Sequence, residues 1–187
     1  IRAHQAGADL TSIPGLLRID IAPVDSGRTI IYRGDSNYVF TKGKLTQAVA
    51  RRNILAILGF DVYGQPPERT IELVKGEGFD LSKVREDQWA GKAAYVVGAP
   101  DREFWIEKDR LLFLKVVEPG QGGAATEISF NKYVRLGGGW IGTEVIFLRN
   151  GKEFFREVYR DWKINPAVTD ELFQTTAWKR AAWIPKP

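Results

Sequence analysis

Residues 103–118 read EFWIEKDRLLFLKVVE, and the fold turns on how this hairpin is covered. Lys108-Asp109-Arg110 make a charged turn between two short strands. A hairpin on a surface shows one apolar and one polar face. The second strand here is apolar on both: strict alternation sends Leu111, Phe113 and Val117 one way and Leu112, Leu114 and Val116 the other. Such a strand needs cover on each side, from a second layer or from an apolar ligand.

The neighbouring segments are strands too. Downstream come ATEISFNKYVRL (125–136), WIGTEVIFLR (140–149) and KEFFREVYRDWKI (152–164), with turns at PGQGG, LGGG and RNGK. RNGK contains Asn150-Gly151, a strong signal for a tight hairpin. Upstream come LSKVRE (81–86) and WAGKAAYVVGA (89–99). Nearer the start, LLRIDIA (16–22) puts Leu17, Ile19 and Ile21 on one face, RTIIYR (28–33) follows, and YVFT–KGK–LTQAV reads as a hairpin. Between these groups the apolar period changes to three and four: Ile54, Ile57, Leu58 and Val62 predict a helix near 51–63. Pro66-Pro67 ends it, and Pro67 with Glu68 and Glu72 suits the start of a second helix over 66–76, whose apolar side is Ile71, Leu73 and Val74. TDELF near the end predicts a short helix capped by Thr169.

The expected class is α+β: about eleven antiparallel strands, two or three helices, and one domain over 1–187. A sheet this wide curls, and so few helices can cover only one side of the curl.

Composition excludes several functions. The chain has 187 residues, 44% hydrophobic, 12% aromatic and 27% charged, which is globular. The net charge is +4, but the basic residues are scattered among acids, so no nucleic-acid partner is expected. With no Cys, disulfides and thiolate chemistry are excluded. His4 is the only His, which removes a His-based triad or multi-His metal site, and no cofactor is expected. LGGGW and AGKAA lack the strand-to-helix context of a phosphate loop. Glu153, Glu157 and Asp161 share a strand face under alternation and read as a solvated face paired with Lys and Arg neighbours. The WKRAAWIPKP tail, with Trp178 and Trp183, is expected to pack on the barrel rim, a membrane surface being the alternative. No stretch approaches the roughly 18 apolar residues of a spanning helix. The chain starts at Ile1 and has no Met, so a processed or trimmed form is expected, and any signal peptide or lipidated Cys would lie ahead of it.

Several segments together resemble the LolA/LolB-like superfamily of periplasmic lipoprotein carriers, in particular the outer-membrane lipoprotein-sorting-like proteins. They are Gly91–Ala99, Phe104–Glu107, Leu111–Val117, Tyr133, Gly138-Gly139-Trp140, Glu157–Phe173 and, upstream, Tyr32–Phe40. The resemblance implies a strongly curved antiparallel half-barrel whose helices close the mouth as a lid over an apolar cavity for acyl chains. It implies non-enzymatic binding and transfer of a lipid or lipoprotein acyl chain by a monomer. The setting would be the periplasm, or the outer membrane through a lipid anchor, with a membrane-bound donor or acceptor as partner. The cavity residues expected on this basis are Phe104, Trp105, Ile106, Leu112, Leu114, Val116, Trp140, Ile146 and Phe147. Arg18 and Arg33 are the candidates for the arginine that links sheet to lid in the best-known carriers. Two other readings use the same architecture, a cofactor-free enzyme and a structural or sensor domain.

Overall fold

The computed structural model describes residues 7–181, so His4 and Trp183 lie outside the described residues. Among the described residues there are twelve strands in two antiparallel sheets of five and seven. The sequence suggests about eleven strands in one sheet; the difference arises at β1 (Gly7–Ser12) and at the helical stretch after residue 50. GADLTS has a single large apolar residue, so its pairing is dictated by the next strand and not by its own pattern. By backbone contacts the chain falls into two compact units: Pro67–Ile164, and residues 7–66 with 165–181.

In the second of these, β1 is followed by β2 (Leu16–Ile21), β3 (Thr29–Arg33), β4 (Ser36–Thr41) and β5 (Lys44–Val49), paired in chain order. Pairing Ile19 with Ile30 and Ile30 with Val39 puts these three on one face. Leu10, Ile31 and Phe40 occupy the other, packed against Phe173 with Leu16, Tyr38, Val168, Leu172 and Trp178. The helix α1 (Ile54–Gly59) follows, where expected. Asn53 caps it, its side-chain oxygen accepting from the Leu55 and Ala56 amides, and Ile54, Ile57 and Leu58 form its buried stripe. The TDELF segment is a single 3-10 turn, Asp170–Phe173, and Thr169 makes no side-chain cap.

The other unit opens with α2 (Pro67–Gly76), with Pro67 and Glu68 in its first turn. Leu73 and Val74 are buried, but Ile71 is exposed, so the apolar stripe is narrower than the sequence suggests. Then come β6 (Val84–Trp89), β7 (Lys92–Ala99), β8 (Arg102–Glu107), β9 (Phe113–Pro119), β10 (Ala125–Leu136), β11 (Gly139–Arg149) and β12 (Lys152–Val158). They pair as a simple meander. Asn150 and Gly151 both take positive φ, 49° and 73°, as a tight primed hairpin turn requires.

In the seven-stranded sheet two bulges set which way the side chains face. The pairing shifts between Trp105 and Ile106 opposite β9, so Leu114 and Lys115 together oppose one residue. Strict alternation fails there: Phe113 and Val116 share a face, while Leu114 joins the opposite one. Leu111 is not part of the strand at all; it is exposed, at a positive φ of 53°. A second shift, between Phe147 and Leu148 opposite β12, separates Glu153 from Glu157. Glu153 bonds Arg156 and Glu157 accepts from the Tyr159 hydroxyl, while Asp161 lies beyond the strand.

Candidate functional site

The two faces of the seven-stranded sheet are chemically unlike. One is aromatic and aliphatic. Its registered pairs are Phe104–Val116, Val116–Ile128, Ile128–Phe147 and Phe130–Val145. Phe79, just after α2, meets Phe104 edge-on at 5.5 Å between ring centroids, and Phe113 meets Phe130 at 5.1 Å. Phe113, Val116, Phe130 and Val145 are buried, and the face opens toward β11–β12, where Phe147, Phe154 and Phe155 are half-buried.

The opposite face carries a ladder of ion pairs over a small apolar patch. The buried Glu103 carboxylate accepts from the Arg85 guanidinium and the Trp105 indole N–H. Glu107 accepts from Lys92 and Arg110, and the Arg110 hydrogen bonds are the first reason its carboxyl titrates below its ordinary 4.5. Lys115 pairs with Glu127 at 2.8 Å and stands 4.5 Å over the Trp105 ring. Glu144 is held by Arg156 and Lys132. The Glu153 and Glu144 hydrogen bonds push the Arg156 guanidinium up. Beneath the ladder Ala94, Val96, Trp105 and Leu114 form one buried cluster with Trp89 beside it. Buried carboxylates persist because each has a cation and hydrogen bonds within reach.

The nine predicted residues therefore do not share one surface. Phe104, Ile106, Val116 and Phe147 are on the aromatic face. Trp105 and Leu114 are in the cluster under the ion pairs, and Ile146 lines up with Ser129 and Arg156 on that side. Trp140 is 41% exposed, 4.5 Å beneath the Arg110 guanidinium. Leu112 is buried just ahead of β9.

The five-stranded sheet adds residues that sequence reading did not include in the site. Leu17, Ile19, Ile21, Ile30, Tyr32 and Val39 share a face, and every one is half-buried, none fully. On the opposite face the two candidate arginines both hold the 165–181 segment. Arg18 and Asp20 form an ion pair at 2.9 Å with both side chains at 0% exposure, and Arg18 donates to the Leu172 carbonyl. Thr29 donates to Asp20 and accepts from the Trp178 indole. Arg33 donates to Asp170 through both terminal guanidinium nitrogens and reaches the Phe173 carbonyl. In this unit the arginines link the sheet to the Asp170–Phe173 turn. Asp61, after α1, is also buried; burial pushes its carboxyl up, with the Gly15 amide opposing.

An open groove of about 520 Å³ lies at the start of β6, lined by Ser82, Lys83, Val84, Arg85, Gly98 and Pro100. It holds none of the predicted residues. Among the described residues no His, Cys, Asp and Glu group of metal-binding size occurs, and no helix is long and apolar enough to cross a membrane.

This architecture is a LolA-like fold. It is similar to the crystal structure of a LolA superfamily protein from Nitrosomonas europaea, with a TM-score of 0.50 at 14% identity over 91% of this chain and 81% of that one. A DUF1329 family protein from Desulfovibrio piger matches with a TM-score of 0.47 at 14% identity, over 85% of this chain and 75% of that one. No family model and no curated protein matches the sequence.

Proposed function

We propose that this protein binds an acyl chain of a lipid or lipoprotein without covalent chemistry and passes it on, outside the cytoplasm. The observation that carries the reading is the half-buried face Leu17, Ile19, Ile21, Ile30, Tyr32 and Val39. The other side of the same sheet is packed tight by Phe173 and Trp178. An apolar face whose residues stay only half-buried is where an apolar guest would gain most by binding. In the seven-stranded sheet we assign the corresponding role to Phe104, Ile106, Val116 and Phe147. Each methylene taken from water gains ~0.8 kcal/mol, so one long chain is worth on the order of 10 kcal/mol. That is tight enough to carry and weak enough to release to an acceptor.

The LolA-like fold supports this reading, as does the resemblance of the sequence to periplasmic carriers. The same resemblance motivates a periplasmic or outer-membrane-anchored location, a monomeric state and a membrane-bound donor or acceptor. The test is titration with a fluorescent fatty acid. Ile19→Arg and Val39→Arg should abolish saturable binding while retaining a cooperative melt. Unchanged binding in both variants would exclude this face.

A further inference from the structure

Of the polar side chains that share that half-buried face, among them Thr11 and Gln47, one is itself buried. Asn37 in β4 pairs with Tyr32 of β3, which places it on the same side as Leu17, Ile30 and Val39. It is only 8% exposed, and its Oδ1 has no hydrogen-bond partner. A buried carboxamide oxygen without a donor costs stability, and such groups are rare in folded proteins unless something outside the chain completes them. Other buried polar groups of this unit are met within the chain: Asp20 by Arg18 and Thr29, Thr29 by Trp178, Asp61 by the Gly15 amide. Asn37 stands apart in a network that is otherwise closed.

We propose that Asn37 is the polar anchor of the acyl-ligand site and selects lipids whose head group presents a hydrogen-bond donor. The inference rests on the acyl-binding reading above. A carboxamide oxygen can only accept. An amide N–H or an alcohol O–H satisfies it. An ester offers acceptors alone, and an ionised carboxylate would set negative charge against the oxygen. The apolar surround removes competing water, so the unmet oxygen discriminates more sharply than it would on an open surface. The aliphatic neighbours take the chain, and Asn37 fixes how deep its head sits.

The experiment uses matched probes in the full chain. One pair is N-hexadecanoyl glycine methyl ester and its analogue with an ester oxygen in place of the N–H. The second is hexadecanol and its methyl ether. Each pair differs by a single donor, and each is measured by displacement of a bound fluorescent fatty acid. In the wild type the donor-bearing member of at least one pair should bind about tenfold tighter, the scale of one unmet buried hydrogen bond. The pair that responds distinguishes an amide from an alcohol head. Asn37→Leu should erase the preference, bind both members similarly, and melt at a temperature no lower than the wild type. If the wild type binds both members of both pairs equally, the anchor is refuted while the carrier reading stands. If it binds none of the probes and no fatty acid, both fall. Because the wild-type comparison decides by itself, a misfolded variant cannot obscure the answer.

Discussion

Arg18→Met tests how the C-terminal segment is held. Arg18 is fully buried, and its guanidinium is committed to Asp20 through two 2.9 Å hydrogen bonds and to the Leu172 carbonyl through a third. It also lies 6.0 Å from the Trp178 ring. Methionine preserves most of the side-chain length but leaves the Asp20 carboxylate buried with Thr29 as its remaining donor among these contacts. Stranding one member of a buried pair costs about 3–5 kcal/mol, most of it the penalty of the uncompensated charge. With a urea slope of about 2 kcal/mol per M, the unfolding midpoint should fall by about 2 M. Asp20→Val added to Arg18→Met removes that charge, and the double variant should recover most of the loss. Equilibrium urea unfolding followed by circular dichroism reads all three proteins. A single variant within about 1 kcal/mol of the wild type, or a double variant worse than the single by a further ~3 kcal/mol, would refute the buried-pair argument.

Three further outcomes are expected. Phe104→Ala removes a buried ring that Phe79 meets edge-on and should cost about 3–4 kcal/mol in a denaturant melt, with Phe79→Leu milder. Glu107 titrates below its ordinary range because of Arg110 first and then Lys92. Its contribution to stability is present above about pH 4.5 and disappears as pH falls through its lowered folded value. Glu107→Gln should therefore lose stability at pH 7 and show a smaller difference from wild type by pH 2 to 3, read from melts across pH. Leu114→Arg should damage the fold, because Leu114 packs with Ala94, Val96 and Trp105; a native-like melt for that variant would show that the cluster contributes little.

Much of this architecture is legible in the sequence where local pattern and pairing agree. ATEISFNKYVRL is strand β10 to the residue, and the change of period after residue 50 locates both helices. Legibility fails where geometry depends on a partner strand. Nothing in RLLFLKVVE marks the bulge that turns Leu114 and Lys115 to the same side, so alternation assigns Leu114 to the wrong company. Alternation puts Glu103, Trp105 and Glu107 on one strand face but does not show that this face is buried. In the structure their carboxylates are buried beneath cations supplied by other strands, such as Arg85 and Lys92. Of the candidate site, the apolar alternation of Leu17, Ile19 and Ile21 is visible in advance. Which sheet face stays only half-buried is not, because it depends on where Phe173 and Trp178 pack, more than a hundred residues away. Asn37 gives no signal at all: an Asn beside Ser36 and Asp35 reads as part of a turn, and only the register with Tyr32 and Val49 places it inside.

Native mass spectrometry of the gently purified protein shows whether it carries an acyl chain. The spectrum should hold a population heavier than the bare chain by the mass of one lipid, removed by organic extraction and restored by incubation with a fatty acid at one molecule per chain. A spectrum showing only the bare chain, both as purified and after incubation with fatty acid, would contradict the carrier reading.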